Sequence, residues 1–222
     1  MGKVRAVCIS EKRGTQKKNI ESAVFVENWG IEGDAHAGNW HRQISLLSEE
    51  TIAAFKARGA EVTDGAFGEN LVVSGYDFTK FPVGTRFTCK DVVLELTQIG
   101  KECHHGCEIF QKMGECIMPT NGVFAKVLHG GKISVGDEFH VQYRAAVITL
   151  SDTASKGERE DASGAAAEEI VGKEGYEVVF KKIIPDDGDT LTALLCELSD
   201  EDKADLILTT GGTGFSKRDN TP

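Results

Sequence analysis

The spacing of apolar residues changes near residue 144, and this change restricts the fold more than any other feature of the sequence. Before it, short β-branched and aromatic stretches bounded by turn residues predict strands with few helices. After it, stretches typical of strands alternate with stretches typical of helices. We therefore expect two domains, over residues 1–143 and 144–222, the first β-rich and the second of the α/β class with a parallel sheet.

The first domain is expected to consist of many short strands. Strands are predicted over residues 4–9, 23–26, 70–73, 86–96 and 138–141. The clearest helix is predicted over residues 48–58, because Ser48 can cap its first turn and Gly59 can end it in the left-handed conformation. So many strands with so few helices predict a barrel-like or sandwich-like β fold.

The second domain has the strand and helix order of a parallel sheet. Its predicted strands cover residues 146–150, 177–184 and 205–209, with a helix over about 163–173 between the first two. A second helix carries an apolar stripe and is predicted to be capped by Asp189. The stripe consists of Leu191, Leu194, Leu195 and Leu198. Ligands of such sheets bind beyond the carboxyl ends of the strands, where polar residues follow all three strands here.

Charge and cysteine content exclude several classes of protein. Of the net charge of -10, residues 1–144 contribute 17 basic and 18 acidic side chains, and residues 145–222 contribute 8 and 17. This acidic balance argues against non-specific nucleic-acid binding. The basic cluster Lys12, Arg13, Lys17 and Lys18 is predicted to be a solvated loop, with the binding of an anionic ligand as the alternative. No apolar run approaches the ~20 residues of a membrane span. Because no export signal is seen, we expect the protein to be cytoplasmic. The six cysteines are accordingly expected to be reduced thiols.

A glycine-rich turn follows the third strand of the second domain. By itself it is weak evidence of a phosphate site, since it matches neither a Walker loop nor the dinucleotide fingerprint, and a plain tight turn stays open. Other motifs precede and follow it in a fixed order. These are Ser151-Asp152, Asp161-Ala162-Ser163-Gly164, Ile184-Pro185-Asp186-Asp187, Thr209-Thr210-Gly211-Gly212-Thr213-Gly214 and Arg218-Asp219-Asn220-Thr221-Pro222. Over about the last 77 residues, the sequence thereby resembles the MogA/MoaB family.

This resemblance implies binding of molybdopterin, which the MogA type adenylates with Mg-ATP so that a second enzyme can insert molybdenum. Asp186 and Asp219 match the essential acids of the family, although Asp186 could also be a simple turn residue. The cofactor-binding positions implied are Ser151, Asp152, Thr210, Gly211, Gly212, Thr213 and Gly214. Carboxylates beside a glycine-lined phosphate cradle suit Mg²⁺ and adenylyl transfer. Because domains of the family continue for roughly 70 further residues, we expect this one to be incomplete at its C-terminus and impaired.

A cluster of thiols and imidazoles lies in the first domain. Cys103, His104, His105, Cys107 and Cys116 fall within fourteen positions. Their spacing matches no standard zinc or iron–sulfur pattern, but a structural zinc site stays open as an alternative. Buried structural cysteines are a further alternative for the last two.

The motifs around this cluster resemble a MOSC domain, a β-rich domain found in molybdenum-cofactor sulfurases and alone in bacteria. They cover residues 30–38, 40–47, 67–71, 122–125 and 136–137, together with the Cys103 segment. The resemblance implies that Cys103 lies in a cofactor-sized cavity and carries sulfur or ligates molybdenum, with Lys101 lowering the pKa of its thiol. We expect His36, His41 and Arg42 to contact the cofactor phosphate, although His41 could instead be a core histidine.

Both resemblances predict a protein that handles molybdenum cofactor. The partners implied are a molybdenum-insertion enzyme, a cysteine desulfurase or a molybdoenzyme client. No domain with a pyridoxal-phosphate lysine is seen, so the chain is not expected to desulfurate cysteine itself. The alternatives are a non-catalytic carrier of the pterin and a reductase of N-hydroxylated compounds. The sequence leaves open the choice between molybdenum and tungsten, and the oligomeric state.

Overall fold

The computed structural model describes residues 1–102 and 108–214. The chain divides into two compact units, Met1–Val141 and Gln142–Pro222. We describe each unit by itself. Among the described residues, no helix combines the length and the apolar character that crossing a membrane requires.

The first unit is built mainly of strands. In chain order its elements are β1 (Gly2–Ile9), β2 (Lys18–Asn19), β3 (Ser22–Val26), β4 (Gly30–Ile31), β5 (Ile44–Ser48), α1 (Glu49–Ala57), β6 (Leu71–Ser74), a 3-10 turn (Phe78–Lys80), β7 (Arg86–Cys89), β8 (Val92–Ile99), α2 (Glu108–Met113), α3 (Met118–Asn121), β9 (Val123–His129) and β10 (Gly131–Ser134). The strand β11 (Glu138–Leu150) begins here and continues into the second unit.

Seven strands of this unit pair in a ring, in the order β1, β6, β5, β9, β8, β7 and β11, with β11 pairing again with β1. Within the ring, β5 and β6 are parallel, whereas the β1–β6 and β8–β9 pairs are antiparallel. Strands β10, β3 and β4 form a separate sheet. The β-rich class predicted from the sequence is confirmed, and closure into a barrel stays a prediction.

The core of this unit follows from strand alternation. On β8 the residues Val92, Leu94 and Leu96 are buried in turn, as expected for a strand with one face in the core. They join a cluster of aromatic rings that includes Phe87 and Phe139, whose rings stack at 5.4 Å. A smaller cluster lies under α1, where Phe55 meets Phe67 edge to face. Burying such rings is the main stabilising contribution to the unit.

Two predictions for the first unit need correction. The single strand expected over residues 86–96 is a hairpin, because Lys90 adopts the left-handed conformation (φ 53°) in the turn between β7 and β8. The sequence reading also missed β5, a fully buried strand without alternation. The predicted helix is confirmed as α1, since the Ser48 side chain accepts the N–H of Thr51 and Gly59 follows with φ 94°.

The second unit has the predicted α/β order. After β11 it contains α4 (Asp152–Ser155), α5 (Ala162–Lys173), β12 (Tyr176–Ile184), α6 (Gly188–Asp200) and β13 (Leu206–Gly211). Strand β11 lies between β12 and β13 and is parallel to both. On α6 the predicted stripe faces the core through Leu194 and Leu198. The cap of α6 was assigned to the wrong acid, because the side chain of Asp187 accepts the N–H of Thr190.

Candidate functional site

A cavity of about 860 Å³ opens in the first unit. This volume falls in the range typical of sites for small molecules and cofactors. Its walls are partly aromatic and partly cationic. They include Lys17, His36, Trp40, Arg42, Lys101 and Phe124. With three cationic side chains at its walls, the cavity suits an anionic ligand with a flat apolar part.

One side of the cavity rests on a buried ion pair. Lys17 Nζ lies 2.6 Å from Asp34 Oδ2, and the two side chains are 2% and 0% exposed. Asn70 Nδ2 also donates to Asp34 Oδ2 at 3.0 Å, and the Ser10 N–H donates to Asp34 Oδ1. Burial by itself would raise the pKa of Asp34, but the bonds from Lys17 and Asn70 outweigh it and hold the pKa below its usual value. Asp34 is therefore an ionised carboxylate that fixes Lys17 at the wall.

His36 and Arg42 both carry a buried nitrogen without a hydrogen-bond partner among the described residues, Nδ1 in His36 and Nε in Arg42. His36 Nδ1 lies 3.8 Å from Asp34 Oδ1, which is too long for a hydrogen bond. Burial lowers the pKa of His36, and the charge of Lys17 lowers it further, so the ring is neutral near pH 7.

Two aromatic rings hold Arg42 in place. Its guanidinium carbon lies 4.9 Å from the Trp40 ring centroid and 5.5 Å from that of Phe124. These contacts leave the N–H groups of the guanidinium available, because a cation–π contact uses the ring face and not the hydrogen-bonding edge. Arg42 is thus oriented without being neutralised by a carboxylate in the described part of the chain.

A second candidate site lies at the carboxyl edge of the parallel sheet in the second unit. Leu150 on β11 pairs with Ile184 on β12 and with Gly211 on β13, so the residues that follow these three positions lie along one edge. The N–H of Asp152 donates to Asp186 Oδ2 at 3.1 Å, and the N–H of Asp186 donates to Asp152 Oδ1 at 3.2 Å. This reciprocal pair brings two carboxylates together at the edge.

The glycine loop has the backbone that a close ligand contact requires. Gly211 and Gly212 have φ values of 83° and 59°, a region that other residues rarely adopt. A Cβ at Gly211 would overlap the carbonyl oxygen of Leu150. Thr210 is the half-buried neighbour on β13, and Thr213 and Gly214 beyond it are exposed.

Sequence profiles of known families match both units. The profile of the MOSC domain matches residues 33–140, and that of a probable molybdopterin binding domain matches residues 146–222. The chain joins a MOSC domain to a domain of the molybdopterin-binding family. The resemblances inferred from the sequence motifs are therefore confirmed.

Two curated relatives each match about a third of this chain. Molybdopterin adenylyltransferase of Pyrococcus furiosus is 46% identical over 79 residues, which are 36% of this chain and 46% of that protein. The enzyme of the same name from Escherichia coli K12 is 39% identical over 82 residues, 36% of this chain and 42% of that protein. The chain thus spans less than half the length of these curated relatives.

A solved structure supports the fold of the first unit. The YUAD protein from Bacillus subtilis superposes with a TM-score of 0.55 at 22% identity, covering 64% of this chain and 96% of that one. At this identity the likeness concerns the fold alone.

The structure brings together some of the predicted MOSC site residues and not others. His36, Arg42 and Lys101 line one cavity. His41 is not among its wall residues, and its Nε2 lies 2.9 Å from Gln98 Oε1. Cys103, the predicted sulfur or molybdenum ligand, lies outside the described residues, as do His104, His105 and Cys107. The wall residues Lys101 and Glu102 precede Cys103 directly in the chain.

Lys17 is the site residue that the sequence reading placed wrongly. It was predicted to belong to a solvated basic loop, yet it is buried and lies at the cavity wall. Its partner is Asp34. The sequence signal was the pair of motifs that contain Asp34 and Asn70, and these do not indicate which cation Asp34 binds.

In the molybdopterin-binding domain, Ser151, Asp152 and Asp186 lie at the same edge as Thr210, Gly211 and Gly212. Asp186 Oδ1 is buried and without a hydrogen-bond partner in the described part of the chain, which fits an acceptor that awaits a cation or a donor. Asp219 lies outside the described residues. Within residues 1–102 and 108–214, no group of three or more His, Cys, Asp or Glu side chains is arranged to hold a metal ion.

Proposed function

We propose that the chain binds molybdopterin or molybdenum cofactor and handles it during cofactor biosynthesis. The observation that carries this proposal is the MOSC cavity, which is lined by both the oriented guanidinium of Arg42 and the buried cation Lys17. A guanidinium fork suits the phosphate of the cofactor, and the rings of Trp40 and Phe124 suit a flat heterocycle.

In the MOSC domain, Cys103 is the proposed carrier of sulfur or ligand of molybdenum. Thiolates are ligands that suit this type of metal, and the cation Lys101 two residues earlier favours the thiolate form. The bound cofactor would supply the metal and dithiolene chemistry, whereas the chain supplies the phosphate contacts, the cavity and the thiol.

In the second unit we propose a site for the phosphate of molybdopterin at Gly211 and Gly212. Backbone N–H groups of a glycine turn can approach an anion closely. Asp186 and Asp219 are the proposed holders of Mg²⁺ with ATP, as adenylyl transfer of the kind that names the adenylyltransferase relatives would require. Since the chain spans less than half of those relatives, adenylyl transfer by this unit is itself part of the proposal.

The binding proposal is tested by native mass spectrometry of the purified chain, which reads bound pterin, metal and persulfide together. We expect bound pterin and a sulfur adduct on Cys103. In Cys103→Ser the adduct should vanish while pterin binding persists, and the exposed Cys196 of the other unit supplies the control variant Cys196→Ser. An adduct that survives in Cys103→Ser would contradict the assigned thiol.

The phosphate contact is tested with Arg42→Gln. We expect the affinity for molybdopterin to fall by roughly tenfold or more, because a charged hydrogen bond to phosphate is lost. Arg58→Gln is a matched control, since Arg58 also lies 4.9 Å over a phenylalanine ring but forms its ion pair with Glu115 and does not line the cavity. An equal loss of molybdopterin affinity in both variants would contradict the proposal. If the unmodified chain bound stoichiometric pterin but showed no turnover, it would be a carrier of the pterin and not an enzyme.

A further inference from the structure

Glu69 is a fully buried carboxylate that the proposed chemistry does not use. It lies two residues before β6 and is 0% exposed. Its Oε1 accepts the N–H of Gly65 at 2.6 Å, and its Oε2 accepts the N–H of Phe67 at 3.0 Å. Both carboxylate oxygens are therefore bonded to the backbone of one short segment, residues 65–67.

This segment forms part of the cavity wall. Ala66, Phe67 and Gly68 all line the cavity. The segment is also bonded to the wall residue Lys17, whose N–H donates to the carbonyl oxygen of Gly65 at 3.0 Å. The backbones are so close that a Cβ at Gly65 (φ 86°) would overlap the carbonyl oxygen of Lys17. A shift of residues 65–67 would thus change the cavity on two sides.

We propose that Glu69 is a positioning residue that holds residues 65–67 as a wall of the cavity and thereby sets how tightly the cavity binds its ligand. The effect on ligand affinity rests on the proposed function. The hydrogen bonds that hold the wall do not depend on the proposed function, because they are a property of the folded chain alone.

Ionisation of Glu69 controls whether both bonds form. A carboxylate has an acceptor on each oxygen, but a protonated carboxyl group uses one oxygen as an O–H donor. Burial raises the pKa of Glu69 to about 7, opposed by the bonds from the backbone and assisted by Asp64. One of the two backbone bonds is therefore weakened when the pH falls below about 7.

Three other titratable groups interact with Glu69. Asp64 faces water in part. Burial, and then Glu69 itself, raises the pKa of Cys8 to about 12, so this thiol stays neutral. Lys17 remains paired with Asp34, although burial lowers its pKa. A change near pH 7 in residues 65–67 would therefore come from Glu69.

The wall is tested by ¹H–¹⁵N NMR of the full-length chain across about pH 6 to 8.5. We expect the backbone amide signals of Gly65 and Phe67 to shift with one common midpoint near pH 7. The amide of Gly75 is the internal control, because it donates to Glu50 Oε1 at 2.8 Å. Glu50 is exposed, and bonds from the backbone outweigh its partial desolvation and leave its pKa lowered. The Gly75 signal should not move. Flat signals from Gly65 and Phe67 would overturn the proposal even if no variant could be made.

The effect on binding is tested with molybdopterin and the variant Glu69→Gln. In the unmodified chain we expect affinity to rise several-fold between about pH 6 and 8, beyond the change that titration of the ligand phosphate causes by itself. Glu69→Gln should bind more weakly at pH 8 and keep only the phosphate-dependent part of the profile. Identical pH profiles in both proteins would overturn the proposal while leaving the proposed function intact. If the unmodified chain did not bind molybdopterin although the Gly65 and Phe67 amides titrated as expected, the proposed function would be refuted. The role of Glu69 in holding residues 65–67 would still stand.

Discussion

The side chains of the Lys17–Asp34 ion pair are almost completely buried. Removing one partner therefore costs more stability than it does in an ion pair at the surface. We predict that Lys17→Met lowers the free energy of unfolding by roughly 3–5 kcal/mol, because it leaves the Asp34 carboxylate buried without its counter-charge. Urea unfolding measures the loss. The exposed neighbour Lys18 provides the control, and Lys18→Met should change stability by less than about 0.5 kcal/mol. Equal effects of both substitutions would show that the pair does not hold in solution.

Glu69 gives the stability of the fold a pH dependence of defined sign. Because burial raises its pKa to about 7, the folded chain holds a proton that the unfolded chain releases near pH 4.5. Its contribution to stability is therefore fully present below about pH 4.5 and is lost as the pH rises through about 7.

We predict that this loss amounts to roughly 3 kcal/mol in the unmodified chain and is absent in Glu69→Gln. Urea unfolding at about pH 5 and 8 measures it in both proteins. Glu50→Gln should retain the loss, since Glu50 is exposed and bonds from the backbone and Ser48 outweigh its partial desolvation and leave its pKa lowered. A pH dependence that survives in Glu69→Gln would assign the buried proton to another group.

At the scale of elements, the end of β13 depends on the left-handed backbone of Gly211. We predict that Gly211→Ala destabilises the second unit by more than about 1 kcal/mol, because the new methyl group meets the carbonyl oxygen of Leu150 and the φ of 83° disfavours any side chain. Gly172→Ala is the matched control. Gly172 lies in the last turn of α5, where an added Cβ has no atom within 4 Å beyond its chain neighbours and the helix's own backbone, so alanine should stabilise the helix by up to about 1 kcal/mol. Thermal unfolding of both variants, followed by circular dichroism, would contradict this reasoning if the two changes had the same sign.

Elements with a repeating apolar face could be predicted from the sequence, and elements defined by distant partners could not. The leucines of α6 repeat at helical spacing, since one side of the helix must be buried. The turn at Lys90 contains no glycine, so the sequence gives no sign of its left-handed backbone. The burial of Lys17 depends on Asp34, 17 positions away, and no local pattern records that contact. For the cavity of the first unit, the motifs therefore pointed to Arg42 but not to Lys17, the second cation that the fold places at the same walls.

At the scale of the whole molecule, the two units would bind the same kind of anion with different means. The MOSC cavity has its own cations at Lys17, Arg42 and Lys101. The edge of the second unit presents Asp152 and Asp186, within a region of 17 acidic and 8 basic residues. A phosphate at that edge needs a divalent cation to offset the carboxylates, whereas a phosphate in the cavity does not.

We therefore predict that EDTA lowers the number of molybdopterin molecules bound per chain from about two to about one, with Mg²⁺ restoring the second. Isothermal titration calorimetry with and without Mg²⁺ measures the number directly. Asp186→Asn should give the lower number even with Mg²⁺ present, whereas Arg42→Gln should weaken the site that EDTA leaves untouched. If EDTA abolished both sites, the cavity would need a metal as well, and its cationic walls would not be sufficient for the anion.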